Sequence, residues 1–331
     1  MRTAYAEGEA RVVIAGFAAV FDRDEFRREL ERLARDAWQW GSPLELRVHP
    51  LKAHRCRCTF ELGVRTWSGW HTVIGKVHTT DRSDIFRVMT AVRAAGFGAE
   101  SEFSIPEPLA FLPTLQLLLE EQVRGPTAKQ VFLGGGSPEQ LASAERGARW
   151  LARFHATAPR LGKTAEPAAL LEQARHWADR IATFEASLAA KAAQLCRSLE
   201  GARPGTAVDG FRAGHGSYMP EHVLLSSGRT TVLDLDECDV ADPSRDVAWF
   251  VVSVQRLALT QLGSLEALDD VVNAFLRAYH DSSEPGAARH LTFYRMLECL
   301  HRARRDLFKR IPPVPEWAEI MLDEGLRLAP A

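Results

Sequence analysis

Alternating apolar and polar positions in the first third of the chain predict an antiparallel sheet. Every second residue from Cys56 to Val64 is apolar or small and the residues between are more polar. A period of two is typical of a strand with one buried face. Apolar runs at 44–48, 72–77 and 115–121 predict further strands, and a helical period over 83–95 predicts a helix that ends at Gly96.

Helical periodicity replaces this alternation after residue 126. The segment from Gln122 to Pro126 interrupts the pattern, so we place a domain boundary there, with an N-lobe over 1–123 and a C-lobe over 124–331. Capping residues at 137–140 predict a helix start, the spacing from Trp177 to Leu199 predicts one long helix, and further helices are expected at 247–259, 265–279 and 290–309. The chain is therefore predicted to be α+β.

One segment of the helical part reads as a hairpin. A polar loop beginning at Gly214 runs into an apolar strand, a Ser-Ser-Gly turn reverses the chain, and a second strand ends on acidic residues. A hairpin brings the two loop ends together, so this is the first place to expect chemistry. The polar side chains at these ends are His215, Ser217, His222, Asp234 and Asp236.

Composition narrows the classes of partner. The 331 residues include 41 basic and 43 acidic side chains, and this balance gives no electrostatic case for a nucleic acid partner. The apolar run at 12–20 is too short to span a membrane and lacks a signal-peptide arrangement, so a cytoplasmic protein without a membrane partner is expected. Five scattered cysteines indicate reduced thiols. The basic face of the helix over 290–309 is expected to be ordinary solvated surface.

The hairpin segment resembles a known family. The sequence reads HGSYMPEH at 215–222, LD at 233–234 and DPSRDVA at 242–248. This spacing resembles that of the aminoglycoside phosphotransferase family, the small-molecule branch of the protein-kinase-like fold. That family has His-Gly-Asp-x-x-x-x-Asn in its catalytic loop, then a hairpin with Ile-Asp, then Asp-Pro-x-x-Asp. The strings IGKV at 74–77, LLEEQVRG at 118–125 and LARFH at 151–155 resemble its lysine strand, hinge strand and a C-lobe helix.

The resemblance implies a two-lobed kinase fold that uses ATP and Mg²⁺ and phosphorylates a small-molecule acceptor. Lys76 would then contact the nucleotide phosphates, and Asp234 would ligate the magnesium ion. His215 and Asp246 would be structural rather than catalytic, as buried polar residues often are. The residues that would offer backbone groups to adenine are Glu120, Glu121, Gln122 and Val123.

Two positions depart from the family pattern. Ser217 stands where the family has its catalytic aspartate, and a serine hydroxyl does not accept a proton at neutral pH. His222 stands where the family has a second metal-binding asparagine, and imidazole is a poor Mg²⁺ ligand that suits Mn²⁺ better. Asp236 and Glu221 are candidate substitute acids, with Asp236 facing solvent as an equal alternative. Asp84 is the candidate partner of Lys76.

Two functions stay open. One is an active kinase that transfers a phosphoryl group from ATP to a hydroxyl of a small molecule, because positioning and charge neutralisation dominate this reaction. The other is a pseudokinase that binds nucleotide or a partner protein without efficient transfer. Lys76 itself has a second interpretation, as an edge-strand lysine that reaches solvent. The sequence does not specify the acceptor.

Overall fold

The computed structural model describes residues 14–205 and 210–330. The chain divides into two compact units, of which the first ends at Arg124 and the second begins at Gly125. An antiparallel sheet dominates the first unit and helices dominate the second, so the predicted α+β class is confirmed. Residues 12 and 13, at the start of the N-terminal apolar run, lie outside the described residues.

The strands of the first unit are β1 Glu45–Ala53, β2 Arg57–Thr66, β3 Gly69–His78, β4 Phe103–Ser104, β5 Pro108–Leu112 and β6 Leu117–Glu121. Five of them form an antiparallel sheet in the order β1-β2-β3-β6-β5. Cys58, Phe60, Leu62 and Val64 of β2 are fully buried, as the period of two predicts. Helix α1 spans Asp24–Arg32 and packs its Phe26 into the same core, and α2 spans Ser83–Ala94.

The second unit is a set of packed helices. The helices are α3 Ala128–Gly134, α4 Ser137–Thr157, α5 Pro167–Ala182, α6 Ala186–Gly201, α7 Ser244–Leu262, α8 Asp269–Ser282, α9 Leu291–Phe308 and α10 Pro315–Arg327. One apolar cluster joins α5, α6, α7, α9 and α10 through fully buried side chains such as Leu195, Val252, Leu300 and Met321.

The prediction of one long helix over 177–199 is wrong, because the chain breaks between α5 and α6. The Thr183 hydroxyl donates to the carbonyl of Arg180 at 2.7 Å, and the Phe184 amide donates to the carbonyl of Ile181 at 2.9 Å. These local bonds satisfy the end of α5 and compete with continued helix. Helix α3 was not predicted, although Thr127 and Gln130 form a capping box at its start.

The predicted hairpin is present between α6 and α7. Strands β8 (Val223–Ser226) and β9 (Arg229–Val232) pair antiparallel, with Val223 opposite Val232. It is flanked by two short strands, β7 (Arg212–Gly214) and β10 (Asp239–Ala241), which pair with each other. All five cysteines are free thiols. Among the described residues, no helix is both long and apolar enough to cross a membrane.

Candidate active site

The loop from β7 to β8 begins with a turn that requires glycine. Gly216 has φ of +81°, and a Cβ atom placed on it would lie 2.1 Å from the carbonyl oxygen of Glu237. Both the backbone conformation and the close approach exclude a side chain. The loop is therefore held directly against the segment that follows Asp234.

Asp246, in the first turn of α7, braces this loop. Its Oδ2 atom accepts a hydrogen bond from the His215 amide at 2.6 Å, and its Oδ1 atom accepts one from the Gly216 amide at 2.9 Å. His155 of α4 places Nε2 at 3.1 Å from Oδ2 and Nδ1 at 2.8 Å from the Tyr279 hydroxyl. Burial alone would raise the pKa of Asp246, but the His155 hydrogen bond and nearby positive charges hold that pKa well below its ordinary value.

His215 lies in the core behind the loop. It is fully buried, and its Nε2–H donates to the carbonyl of Leu233 at 3.0 Å. The rings of Trp150 and Tyr218 contact it edge-on, with centroids at 6.3 and 5.5 Å. Burial lowers the pKa of His215, so the neutral imidazole dominates at pH 7.

The hairpin brings Ser217, His222 and Asp234 together. The Leu233 amide donates to the His222 carbonyl at 2.9 Å, which extends the pairing of β8 with β9 to the residue before Asp234. His222 Nδ1–H donates to the Ser217 carbonyl at 3.0 Å, and its Nε2 lies 3.5 Å from Asp234 Oδ2. Asp234 adopts a left-handed conformation with φ of 65° and ψ of 58°, which residues other than glycine adopt uncommonly and which is often found at functional sites.

The two candidate substitute acids differ in their surroundings. Asp236 lies in the short 3₁₀ turn Leu235–Glu237 and is only 6% exposed, so the solvent-facing interpretation of this residue is wrong. Glu221 is exposed and forms an ion pair with Lys129 of α3 at 3.1 Å. Of these two carboxylates, only Asp236 is buried beside Asp234.

In the first unit, Lys76 forms a buried ion pair that the sequence did not indicate. Its Nζ lies 3.1 Å from Glu120 Oε1, and both side chains are less than a tenth exposed. Strand β3 is central in the sheet, so the edge-strand interpretation of Lys76 is wrong. The proposed partner Asp84 is also a wrong prediction, since it is exposed and accepts a hydrogen bond from Arg82 at 3.1 Å.

Pairing between β3 and β6 explains the ion pair. Ile74 lies opposite Glu120, so Lys76, two residues further along β3, shares a face with Glu120 as its diagonal neighbour. Glu120 therefore contributes its carboxylate, where the sequence suggested only its backbone. Glu121 and Gln122 follow it, and their side chains contact the Glu107 amide and the Glu61 carboxylate within the same unit.

The donor atoms near the loop fit a magnesium ion in part. Asp234 offers a carboxylate, and Mg²⁺ is commonly bound through one or two carboxylates together with substrate phosphates. His222 fits poorly, because Mg²⁺ prefers hard oxygen donors to imidazole nitrogen. Its Nδ1–H donates to Ser217, so Nε2, which faces Asp234, is the ring nitrogen left to ligate a metal. Within the described ranges, no three His, Cys, Asp or Glu side chains are grouped to hold a metal ion.

A lysine on β3, followed along the chain by a helical unit with a braced loop and a hairpin carboxylate, is typical of kinase-like phosphotransferases. The model of the phosphotransferase enzyme family matches residues 74–291, about two thirds of the chain. The chain belongs to this family. The matched region runs from β3 to the start of α9 and includes Lys76, the loop and Asp246.

Solved structures with the same fold are distant in sequence. A putative aminoglycoside phosphotransferase from Ralstonia eutropha has a TM-score of 0.63 and 15% identity, covering 92% of this chain and 99% of its own. Choline kinase from Cryptosporidium parvum has a TM-score of 0.59 and 11% identity, with 91% and 94% covered. A glucosamine kinase in complex with glucosamine, ADP and inorganic phosphate has a TM-score of 0.60 and 16% identity, with 85% and 79% covered. No curated protein matches the sequence.

Proposed function

We propose that the protein is a kinase that transfers the γ-phosphoryl group of ATP to a hydroxyl group of a small molecule. The observation that carries this proposal is the braced loop, in which Asp246 holds the backbone of His215 and Gly216 while the hairpin sets His222 beside Asp234. Membership of the phosphotransferase enzyme family supports it. The similar fold of a glucosamine kinase solved with ADP supports the choice of nucleotide.

The acceptor oxygen forms a bond to the γ-phosphorus as the bond from that phosphorus to the β,γ-bridging oxygen breaks. ADP leaves, and the hydroxyl proton passes to a phosphate oxygen or to a nearby base. Lys76, oriented by Glu120, binds the nucleotide phosphates, and the backbone of residues 120–123 binds adenine. Asp234 would hold magnesium, which would supply neutralisation of the phosphate charge.

The replacement of the family's aspartate by Ser217 slows the kinase but does not inactivate it. General-base assistance contributes about 10²–10⁴-fold to rate, whereas the loose transition state of phosphoryl transfer depends mostly on positioning and charge. Asp236, buried two residues beyond Asp234, is the candidate for accepting the proton in place of the missing aspartate.

Nucleotide binding is tested by thermal unfolding. A ligand at 100 times its Kd stabilises the folded state by about 2.7 kcal/mol. With an unfolding entropy of about 2.1 cal/mol/K per residue, a chain of 331 residues gains about 4 °C in Tm. ATP with Mg²⁺ or Mn²⁺ should produce this shift, Asp234→Asn should remove it, and the exposed control Asp84→Asn should keep it. The absence of a shift with any nucleotide would refute the proposal.

Turnover separates the kinase from the pseudokinase. We expect slow release of ADP by the wild type and a rate at least tenfold higher in Ser217→Asp, because that change restores a carboxylate to the loop. The measurement is ADP release at saturating ATP with a panel of hydroxylated acceptors. ATP binding without turnover in either protein would favour a scaffold that binds nucleotide or a partner protein.

A further inference from the structure

A groove of about 310 Å³ in the second unit opens beside the catalytic loop. Met219 and Glu221, two and four residues beyond Ser217, form part of its wall. Helices α3, α7 and α9 supply the rest, together with Lys309 and Arg310 directly after α9. This volume lies at the small end of the range for ligand pockets, which suits a molecule of monosaccharide size.

The charge of this groove is strongly positive. Its two carboxylates belong to Glu221 and Asp306, so the cations exceed them by four. The groove also contains the hydroxyl groups of Ser253 and Thr260 and the amide of Gln261, which are suitable partners for a hydroxylated molecule. The six cationic side chains are Lys129, Arg256, Arg302, Arg305, Lys309 and Arg310.

Half of these cations are neutralised within the unit. Lys129 Nζ lies 3.1 Å from Glu221 Oε1, and Arg256 Nε donates to Asp306 Oδ2 at 3.0 Å. Arg302 Nε lies 2.5 Å from a carboxylate oxygen of Glu298, which is buried beneath the groove. These pairs fix the wall of the groove, and its remaining positive charge belongs to the other three cations.

Arg305 and Lys309 are the available cations, whereas Arg310 lies over the Trp317 ring at 4.3 Å. In the part of the chain that the structure describes, none of the three has a carboxylate within ion-pair distance. Arg305 is exposed, but partial removal from water and the charge of Arg302 lower its pKa, an effect that the carboxylates of Glu298 and Asp306 partly offset. Like charges gathered in this way are costly without a counterion, so a bound anion would stabilise the cluster.

We propose that this groove binds the acceptor substrate, and that the acceptor is a small hydroxylated molecule that carries a phosphate or carboxylate group. The inference rests on the proposed kinase function. Arg305 and Lys309 bind the anionic group through charge-assisted hydrogen bonds, and the acceptor hydroxyl points toward the catalytic loop. A polycationic amino sugar would be repelled by the same charges.

Isothermal titration calorimetry on the full chain without nucleotide tests the groove directly. Glucose 6-phosphate and gluconate are the phosphate and carboxylate probes, glucose is the neutral control and glucosamine is the cationic control. We expect one of the anionic probes to bind at least tenfold more tightly than glucose, and glucosamine to bind no better than glucose. Affinity should fall as salt rises.

Variants locate the binding. Arg305→Gln and Lys309→Gln should each weaken binding of the anionic probe about tenfold, the low end for a hydrogen bond to a charged group. Arg197→Gln, an exposed arginine on α6 outside the groove, should leave the affinity unchanged. A thermal unfolding profile like that of the wild type shows that each variant is folded.

Several results would overturn the inference. These are equal or tighter binding of glucosamine, anion binding that is unchanged in both groove variants, and binding of heparin without binding of either small anion. Displacement of glucose 6-phosphate by ATP would assign the groove to the nucleotide instead. If the anionic probe binds but ATP produces no Tm shift, the kinase function and the acceptor role are both refuted. Failure of the groove to bind anions is distinguishable from failure of the kinase function, because the calorimetry needs no nucleotide.

Discussion

Replacing Asp246 with asparagine is a direct test of the loop brace. The carboxylate accepts hydrogen bonds from two loop amides, and an asparagine keeps one accepting oxygen but turns an NH₂ group toward one of those donors. One buried amide then lacks an acceptor, which costs about 3 kcal/mol. With an unfolding entropy of about 2.1 cal/mol/K per residue over 331 residues, Tm falls by about 4 °C.

The pH dependence of this loss follows from the pKa of Asp246. The folded-state pKa is held below the unfolded value of about 3.9, so the charged form contributes stability above about pH 4. That contribution is lost as pH falls toward the folded-state pKa, because over this range the carboxylate binds a proton more readily in the unfolded state than in the folded state. Asparagine does not titrate. The stability difference between wild type and Asp246→Asn should therefore be complete at pH 7 and become smaller below about pH 4.

Urea unfolding of both proteins at pH 7, 5, 4 and 3 measures this difference. Asp84→Asn is the control, because Asp84 is exposed and its loss should change stability by less than about 0.5 kcal/mol. A variant as stable as the wild type at pH 7 would refute the bracing role. A difference that stays constant from pH 7 to pH 3 would refute the depressed pKa.

Two further predictions concern single contacts. Gly216→Ala should lower Tm by several degrees and abolish ADP release, because its Cβ atom would lie 2.1 Å from the carbonyl oxygen of Glu237. The control Gly201→Ala, in open space on α6, should stabilise the fold by about 0.5–1 kcal/mol. An unchanged Tm in Gly216→Ala would contradict this prediction. Glu120→Gln should cost about 1.5–3 kcal/mol in urea unfolding and weaken ATP binding, because it removes the charge-assisted contact of Glu120 with buried Lys76. Unchanged ATP affinity would argue against the nucleotide role of that lysine.

Local patterns predicted most of the fold. The strand from Arg57 to Thr66 buries every second side chain, so its period of two was visible without tertiary information. The break between α5 and α6 was not visible in the same way, because both helices have apolar faces and their spacing continues across the junction. Only the threonine at 183, which bonds to its own preceding turn, marks the break.

The site was predictable where its residues are close in the sequence. His215, His222 and Asp234 belong to one loop and hairpin, so spacing alone placed them together. The contacts of Asp246 with His155 and of His155 with Tyr279 span 91 and 124 residues, and no local pattern specifies them. The one signal in the sequence was the position of His155 at the end of the string LARFH, which resembles a C-lobe helix of the family.

The basic groove could not be predicted from the sequence for the same reason. Arg302 and Arg305 lie one turn apart on α9, and a basic helix face is usually solvated surface. The helix alone does not show that Arg256 of α7 and Lys129 of α3 face the same space. A groove lined by side chains from three helices therefore becomes visible only when the packing of those helices is known.

The two departures of the loop from the family pattern meet in one contact. His222 donates to the backbone carbonyl of Ser217, not to its side chain, so the hydrogen bond does not depend on which residue occupies position 217. Restoring aspartate at Ser217 should therefore leave His222 anchored beside Asp234. A change in turnover in Ser217→Asp then reports the presence of a base rather than a rearranged loop. The ratio of the two rates therefore measures the transition-state stabilisation that is lost when serine replaces aspartate.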